Sequence, residues 1–264
     1  NWLDDGQKDY NTGEIIKSEG LHSRLQNKNF PFEVCTISNL PDGNTEDEIW
    51  DIFEKVFNTL KEGDELYFDL THGFRYLPML VMVLINYSKF LKNTKVRSIT
   101  YGNYESRNKT TNEAPIIDLL PLSSLQDWTF AAGQFINSGS VERLAQLSND
   151  KLRPVLRESK GTNENATNLK RFILSLENTV EDMQTCRGIN IIESTNISTL
   201  RKTSEQLQTT FIKPLNPIFD KIKDNFRDFS DTPDVRNGFL AAKWCLENSL
   251  YHQSITILPE NVVT

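Results

Sequence analysis

Glu65-Leu66-Tyr67-Phe68-Asp69-Leu70-Thr71-His72-Gly73-Phe74-Arg75-Tyr76-Leu77-Pro78 is the stretch on which the fold turns. Its first five residues read as a strand, rich in apolar and aromatic side chains and set off by Gly63-Asp64. A polar turn with a glycine follows. The apolar run Leu77 to Leu91 then reads as a helix, with Pro78 in the first turn, where a missing N–H is harmless. Strand, turn and helix in that order are the first part of a βαβ unit.

Reading outward extends the pattern. Upstream, Phe32 to Ser38 predicts a short strand, and Pro41-Asp42-Gly43 a turn. Thr45 offers an N-cap, with Glu48 at capping-box spacing. Ile49, Phe53, Val56 and Leu60 line one helical face, and Gly63 stops that helix. Downstream, Val96 to Tyr101 predicts a strand ending at Gly102. Asn103 to Glu113 has no apolar periodicity and reads as a loop, and Pro115 to Leu120 predicts an edge strand. Alternating strands and helices imply right-handed crossovers and a mostly parallel sheet.

Beyond Ser123 the strand signal fades, and residues 1–122 and 123–264 read as two domains, the second an all-α module. A helix opens at Ser124-Leu125-Gln126-Asp127. Asn168 to Met183, Thr199 to Phe211, Ile218 to Phe229 and Phe239 to Leu258 are the clearest of those that follow. Ser159 to Thr167, Gly188 to Ser198 and Ser230 to Asp234 read as connectors.

Composition limits the function. A formal charge of −7 argues against nonspecific binding of long nucleic acid, so a nucleotide ligand must be small or held by a local basic pocket. No apolar run is long enough to span a bilayer. Cys35, Cys186 and Cys245 match no zinc or disulfide spacing and read as small buried residues in a reducing cytoplasm. His252 reads as a solvated side chain, and Glu46-Asp47-Glu48 as a complement to a helix dipole rather than a metal site. No metal site is expected.

The densest chemistry is Asp69 to Arg75, where a parallel strand would end and a helix begin, the edge at which open α/β sheets hold ligands. Helix-start amides favour phosphate oxygens, Gly73 lets a ligand approach the main chain, and Arg75 can pair with phosphate. A second reading stands beside this one: a capped turn, with His72 satisfied in the core and Arg75 in a surface ion pair.

Asp69-x-Thr71-His72-Gly73, extended by Phe74-Arg75-x-Leu77-Pro78, resembles the signature of the CRISPR-associated DxTHG-motif proteins. Pro41-Asp42-Gly43, Glu46-x-Glu48-Ile49-Trp50, Tyr101-Gly102, Ala114 to Leu119 and Trp128 resemble that family's landmarks in order, and Trp244 with Tyr251-His252-Gln253 to Glu260 does so more weakly. The resemblance implies a Rossmann-like CARF domain that dimerises around a cyclic oligoadenylate, tetra- or hexa-adenylate, bound as an activating ligand with no other cofactor. It implies ligand contacts from Thr71, His72, Gly73, Phe74 and Arg75, with Asp69 shaping the turn and Tyr101, Gly102 and Asn103 forming the neighbouring wall. For Tyr101, packing in the strand is the stronger reading.

Relatives also begin with a strand and a glycine-containing loop that face the ligand; nothing like them is read before Asn1, and the expectation is that residues 1–122 lack this N-terminal strand. They commonly end in a HEPN ribonuclease, which cuts single-stranded RNA without metal and carries an arginine followed four to six residues later by a histidine. His22, His72 and His252 lack such an arginine, and Arg236-Asn237 is followed by no histidine, so no catalytic residue is assigned. The expectation is a cytoplasmic prokaryotic sensor leading into a HEPN ribonuclease that lies largely outside this sequence. The alternatives are a CARF binding module or a ring nuclease, in which Thr71 or His72 positions the attacking hydroxyl.

Overall fold

A computed structural model describes residues 11–15, 19–28, 31–37, 39–71, 76–207 and 215–263. The elements are α1 (Leu21–Asn27), α2 (Glu46–Thr59), β1 (Glu65–Asp69), α3 (Leu77–Lys92), β2 (Lys95–Gly102) and β3 (Ile116–Asp118). They are followed by α4 (Leu120–Ser138), α5 (Glu142–Glu158), α6 (Glu164–Gln184), α7 (Gly188–Glu193), α8 (Thr195–Glu205), α9 (Asn216–Asp224), α10 (Arg236–Glu247) and α11 (Tyr251–Val263). The chain divides into two compact units, residues 1–67 with 72–97 and residues 68–71 with 98–264.

The three strands form one sheet in the order β1-β2-β3. Lys95 N–H donates to Asp64 O at one end of β1 and β2, and Leu70 N–H donates to Thr100 O at the other. Partners therefore advance together along both strands, and the pair is parallel. β3 runs antiparallel to β2, with Thr100 opposite Asp118 and Gly102 opposite Ile116. The sheet is thus small and mixed rather than mostly parallel. Two causes combine. Residues 33–37 of the expected strand Phe32–Ser38 carry no regular structure, and Ser38 lies outside the described residues. Between β2 and β3 only a 3-10 turn, Tyr104–Ser106, occurs. With no helix to carry the chain back over a face, a parallel return is not available.

In the first unit the local signals act as read. Thr45 Oγ1 accepts from Glu48 N–H (3.2 Å), capping α2. The return bond lands one residue early: Asn44 N–H donates to Glu48 Oε2 (2.7 Å). Glu46, Asp47 and Glu48 sit in the first turn of α2, where the helix dipole favours negative charge. Helix α2 packs on α3 through the rings of Phe53, Phe57 and Tyr87, whose centroids lie 5.0–6.2 Å apart. At the far end of α3, Lys92 Nζ donates to Phe57 O (2.8 Å) and Leu60 O (2.6 Å), tying the two helix ends together.

From Leu120 onward every regular element among the described residues is a helix. They share one core, in which Trp128 and Phe172 meet Phe219 edge-on while Phe135, Phe226 and Trp244 pack side by side. The stretch Gly188 to Ser198, expected as a connector, instead folds as α7 and the start of α8, with a break at Ser194 (φ +62°). Tertiary contacts overcome its weak helix propensity: Ile191 and Ile197 are buried, and Asn190 and Asn196 both donate to the buried Asp182 carboxylate. The expected helix Phe239 to Leu258 is two helices. Ser249 takes φ +62° and Leu250 N–H donates to Cys245 O, a left-handed stop. Residues 208–211 of the expected helix Thr199 to Phe211 lie outside the described residues; the helix itself ends at Glu205.

Candidate functional site

The ends of β1 and β2 meet in a braced corner. Asp69 Oδ1 accepts from Thr71 N–H (2.8 Å), so the carboxylate closes the turn that leaves the strand. Leu70 N–H donates to Thr100 O, carrying the ladder one residue beyond β1. Thr71 Oγ1 then accepts from Gly102 N–H (2.8 Å), joining the last residue of β2 to the turn after β1. Thr100 Oγ1 adds a bond to Phe68 O (3.3 Å).

This brace gives Gly102 a reason of its own. A Cβ built there would lie 3.0 Å from both Cγ2 and Oγ1 of Thr71, tighter than ordinary contact. The glycine makes room for threonine. Thr71 in turn has committed an oxygen lone pair to the main chain, and its hydroxyl proton remains a donor.

Of the other wall residues, Asn103 Oδ1 accepts from Ser106 N–H (3.3 Å), capping the 3-10 turn, while Asn103 N–H donates to Pro115 O (2.9 Å). Tyr101 is half-buried and pairs with Ile117 across the sheet. His72, Gly73, Phe74 and Arg75 lie outside the described residues. The structure therefore brings Asp69, Thr71, Gly102 and Asn103 to one end of the strands. The link from Thr71 to Gly102 was missed by sequence reasoning, because it joins residues 31 apart in the chain. A threonine after one strand and a glycine closing the next was the available signal.

Elsewhere, chemistry is sparse. Among the described residues no group of three or more His, Cys, Asp and Glu side chains could hold a metal ion. Burial pushes the Cys245 thiol up to about 12, with a smaller contribution from Cys186, which keeps it a protonated core residue. Cys35 is exposed and Cys186 half-buried, so only Cys245 is the buried cysteine expected of all three. Cys35 is exposed because no sheet forms around it. His252 is exposed on α11. No helix among the described residues is long and apolar enough to cross a membrane.

Residues 7–105 match the family described as "CRISPR system endoribonuclease Csx1, CARF domain". The matched span includes α2, β1, α3, β2 and the braced corner. A curated protein, "CRISPR-associated protein MJ1674" of Methanocaldococcus jannaschii, is 25% identical over 225 residues. The alignment covers 83% of this chain and 32% of that protein, so the chain spans about a third of its relative's length. Over residues 7–105 the chain is thus similar to the CARF domains of CRISPR-associated proteins.

Proposed function

We propose that this chain is the sensing part of a type III CRISPR accessory protein, in which a Rossmann-like domain over residues 1–122 binds cyclic tetra- or hexa-adenylate. A helical region over residues 123–264 then relays binding to a HEPN ribonuclease that cuts single-stranded RNA without metal. The protein works as a homodimer in the cytoplasm of a prokaryote. A ring-shaped ligand on a two-fold axis is met by the same loops from each subunit.

The observation that carries this reading is the corner at Asp69, Thr71 and Gly102. Parallel strand ends are where α/β sheets hold ligands, and here two such ends are locked to each other by side chain and main chain. The next residues along the chain are His72, Gly73, Phe74 and Arg75: a hydrogen-bonding ring, a residue without a side chain, an aromatic and a permanent cation. A ligand with several phosphates needs such local donors, because the chain as a whole carries −7 and would repel it at long range.

Calorimetry with cyclic tetra-adenylate and cyclic hexa-adenylate tests it. One of them binds the parent, and affinity falls with added salt. His72→Ala and Arg75→Ala each lose about 1–3 kcal/mol of binding, the range for a hydrogen bond to a charged group. Equal affinity in parent and both variants, all folded, overturns the assignment of this segment.

A further inference from the structure

The turn ahead of α2 and the residue ahead of α3 are pressed together in a way the corner does not explain. Gly43 has φ +75°, and a Cβ built on it would lie 2.0 Å from Tyr76 Oη and 2.5 Å from its Cζ. The tyrosine ring occupies the space a side chain would take. Its hydroxyl donates to Asp42 O (3.3 Å).

The turn itself is firmly mounted. Lys55 Nζ, on α2, donates to Asn39 O (3.0 Å) at one end. Asn44 N–H donates to Glu48 Oε2 at the other, beside the Thr45 cap. Tyr76 is therefore seated on a platform fixed to α2.

Tyr76 also differs from an ordinary helix cap. Thr45 turns its side chain back onto the first turn of its own helix, whereas Tyr76, the N-cap of α3, makes no side-chain cap bond. Its side chain reaches sideways to the Asp42-Gly43 turn instead. Helix α3 is thus tied to the α2 side at both ends, by Lys92 at its last residue and by Tyr76 before its first.

We propose that Tyr76 is a positioning residue for ligand binding: seated on the Asp42-Gly43 turn, it fixes where α3 begins, immediately after the motif in sequence. This role rests on the ligand reading above. The aromatic ring and the left-handed glycine act as one unit. A Cβ on Gly43 would push the ring off the turn, and the turn itself is held by Lys55 and Glu48.

The test compares Gly43→Ala with Gly63→Ala. Gly63 has φ +76° and nothing within 4 Å of its would-be Cβ, so both alanines carry the same backbone strain and only one meets Tyr76. Hydrogen exchange of the amides in the first two turns of α3 reads the clamp without any ligand. Calorimetry with cyclic tetra- and hexa-adenylate reads the consequence. Gly43→Ala speeds that exchange and weakens binding about tenfold, equivalent to about 1.4 kcal/mol, while Gly63→Ala leaves both near the parent. In a Tyr76→Ala background, changing Gly43 to Ala adds no further exchange or loss of affinity beyond that of Gly63→Ala.

If the two alanine variants exchange alike, the clamp does not exist. If Gly43→Ala loosens α3 but binds like the parent, Tyr76 is structural and the positioning role is wrong. A parent that binds neither ring removes the ligand reading, and with it the role of Tyr76 toward that ligand; the exchange comparison then still decides whether the clamp is real.

Discussion

Thr71→Val separates a brace from a ligand group, because valine keeps the shape of threonine and deletes only its hydroxyl. In the parent, Gly102 N–H donates to Thr71 Oγ1 at 2.8 Å. Valine puts a methyl where that oxygen was, leaving a main-chain donor without a partner. An unsatisfied buried donor costs about 1–3 kcal/mol. Both residues are half-buried, so water recovers part of the loss and the lower part of the range applies, about 1–1.5 kcal/mol. Thr71→Ser keeps the oxygen and should stay within about 0.5 kcal/mol of the parent. Urea unfolding at constant slope measures the difference, and amide exchange at Gly102 locates it. A valine variant with the parent's midpoint and an equally protected Gly102 would refute the brace, and with it the account of why β2 ends in glycine.

Two further outcomes test other parts of the molecule. Gly139→Ala should destabilise by about 2–4 kcal/mol in urea, from left-handed strain at φ +68° and a Cβ 2.5 Å from Trp244 Cη2; Gly161→Ala, at φ +80° with nothing nearby, carries the strain alone and should cost clearly less. Burial, and then the neighbouring Glu181, raise the Glu177 carboxyl above its ordinary range, so the folded state holds that proton more tightly than the unfolded one. Stability from this group therefore falls as pH rises through the window above about 4.3, and Glu177→Gln should melt higher than the parent at neutral pH, with the gain gone at the acid end of that window.

The parts of the fold that were legible in sequence are those fixed by near neighbours. The α2 cap at Thr45, the strand Glu65–Asp69 and the start of α3 at Pro78 each depend on residues within one turn or one strand, and each appears where its pattern puts it. The strand expected at Phe32–Ser38 shows the limit. Its alternation suits a pleated surface, but a strand needs a partner edge, and the sheet order gives residues 33–37 none. The helices α7 and α8 fail in the opposite direction. Gly188, Asn190, Ser194 and Asn196 read locally as a connector, yet the buried Asp182 carboxylate two turns back collects two of those amides and makes a helix of them.

The candidate site divides along the same line. Asp69 to Arg75 stands out in the sequence by its residue types and by the strand-to-helix transition expected there. What Thr71 does with its oxygen is not visible, because the answer depends on which strand lies alongside β1 and on where that strand stops. Gly102 and Gly43 make the point together. The sequence reads Gly43 as part of a turn, and the family resemblance puts Gly102 in a ligand wall. In the fold each makes room for a side chain from a distant position: Thr71 against Gly102, Tyr76 against Gly43. Two glycines thus receive the residues that flank His72–Arg75 on either side, one ahead of it and one behind. The motif's flanks are held by contacts with residues 31 and 33 positions away in the chain, so its signature and its supports lie in separate stretches of the sequence.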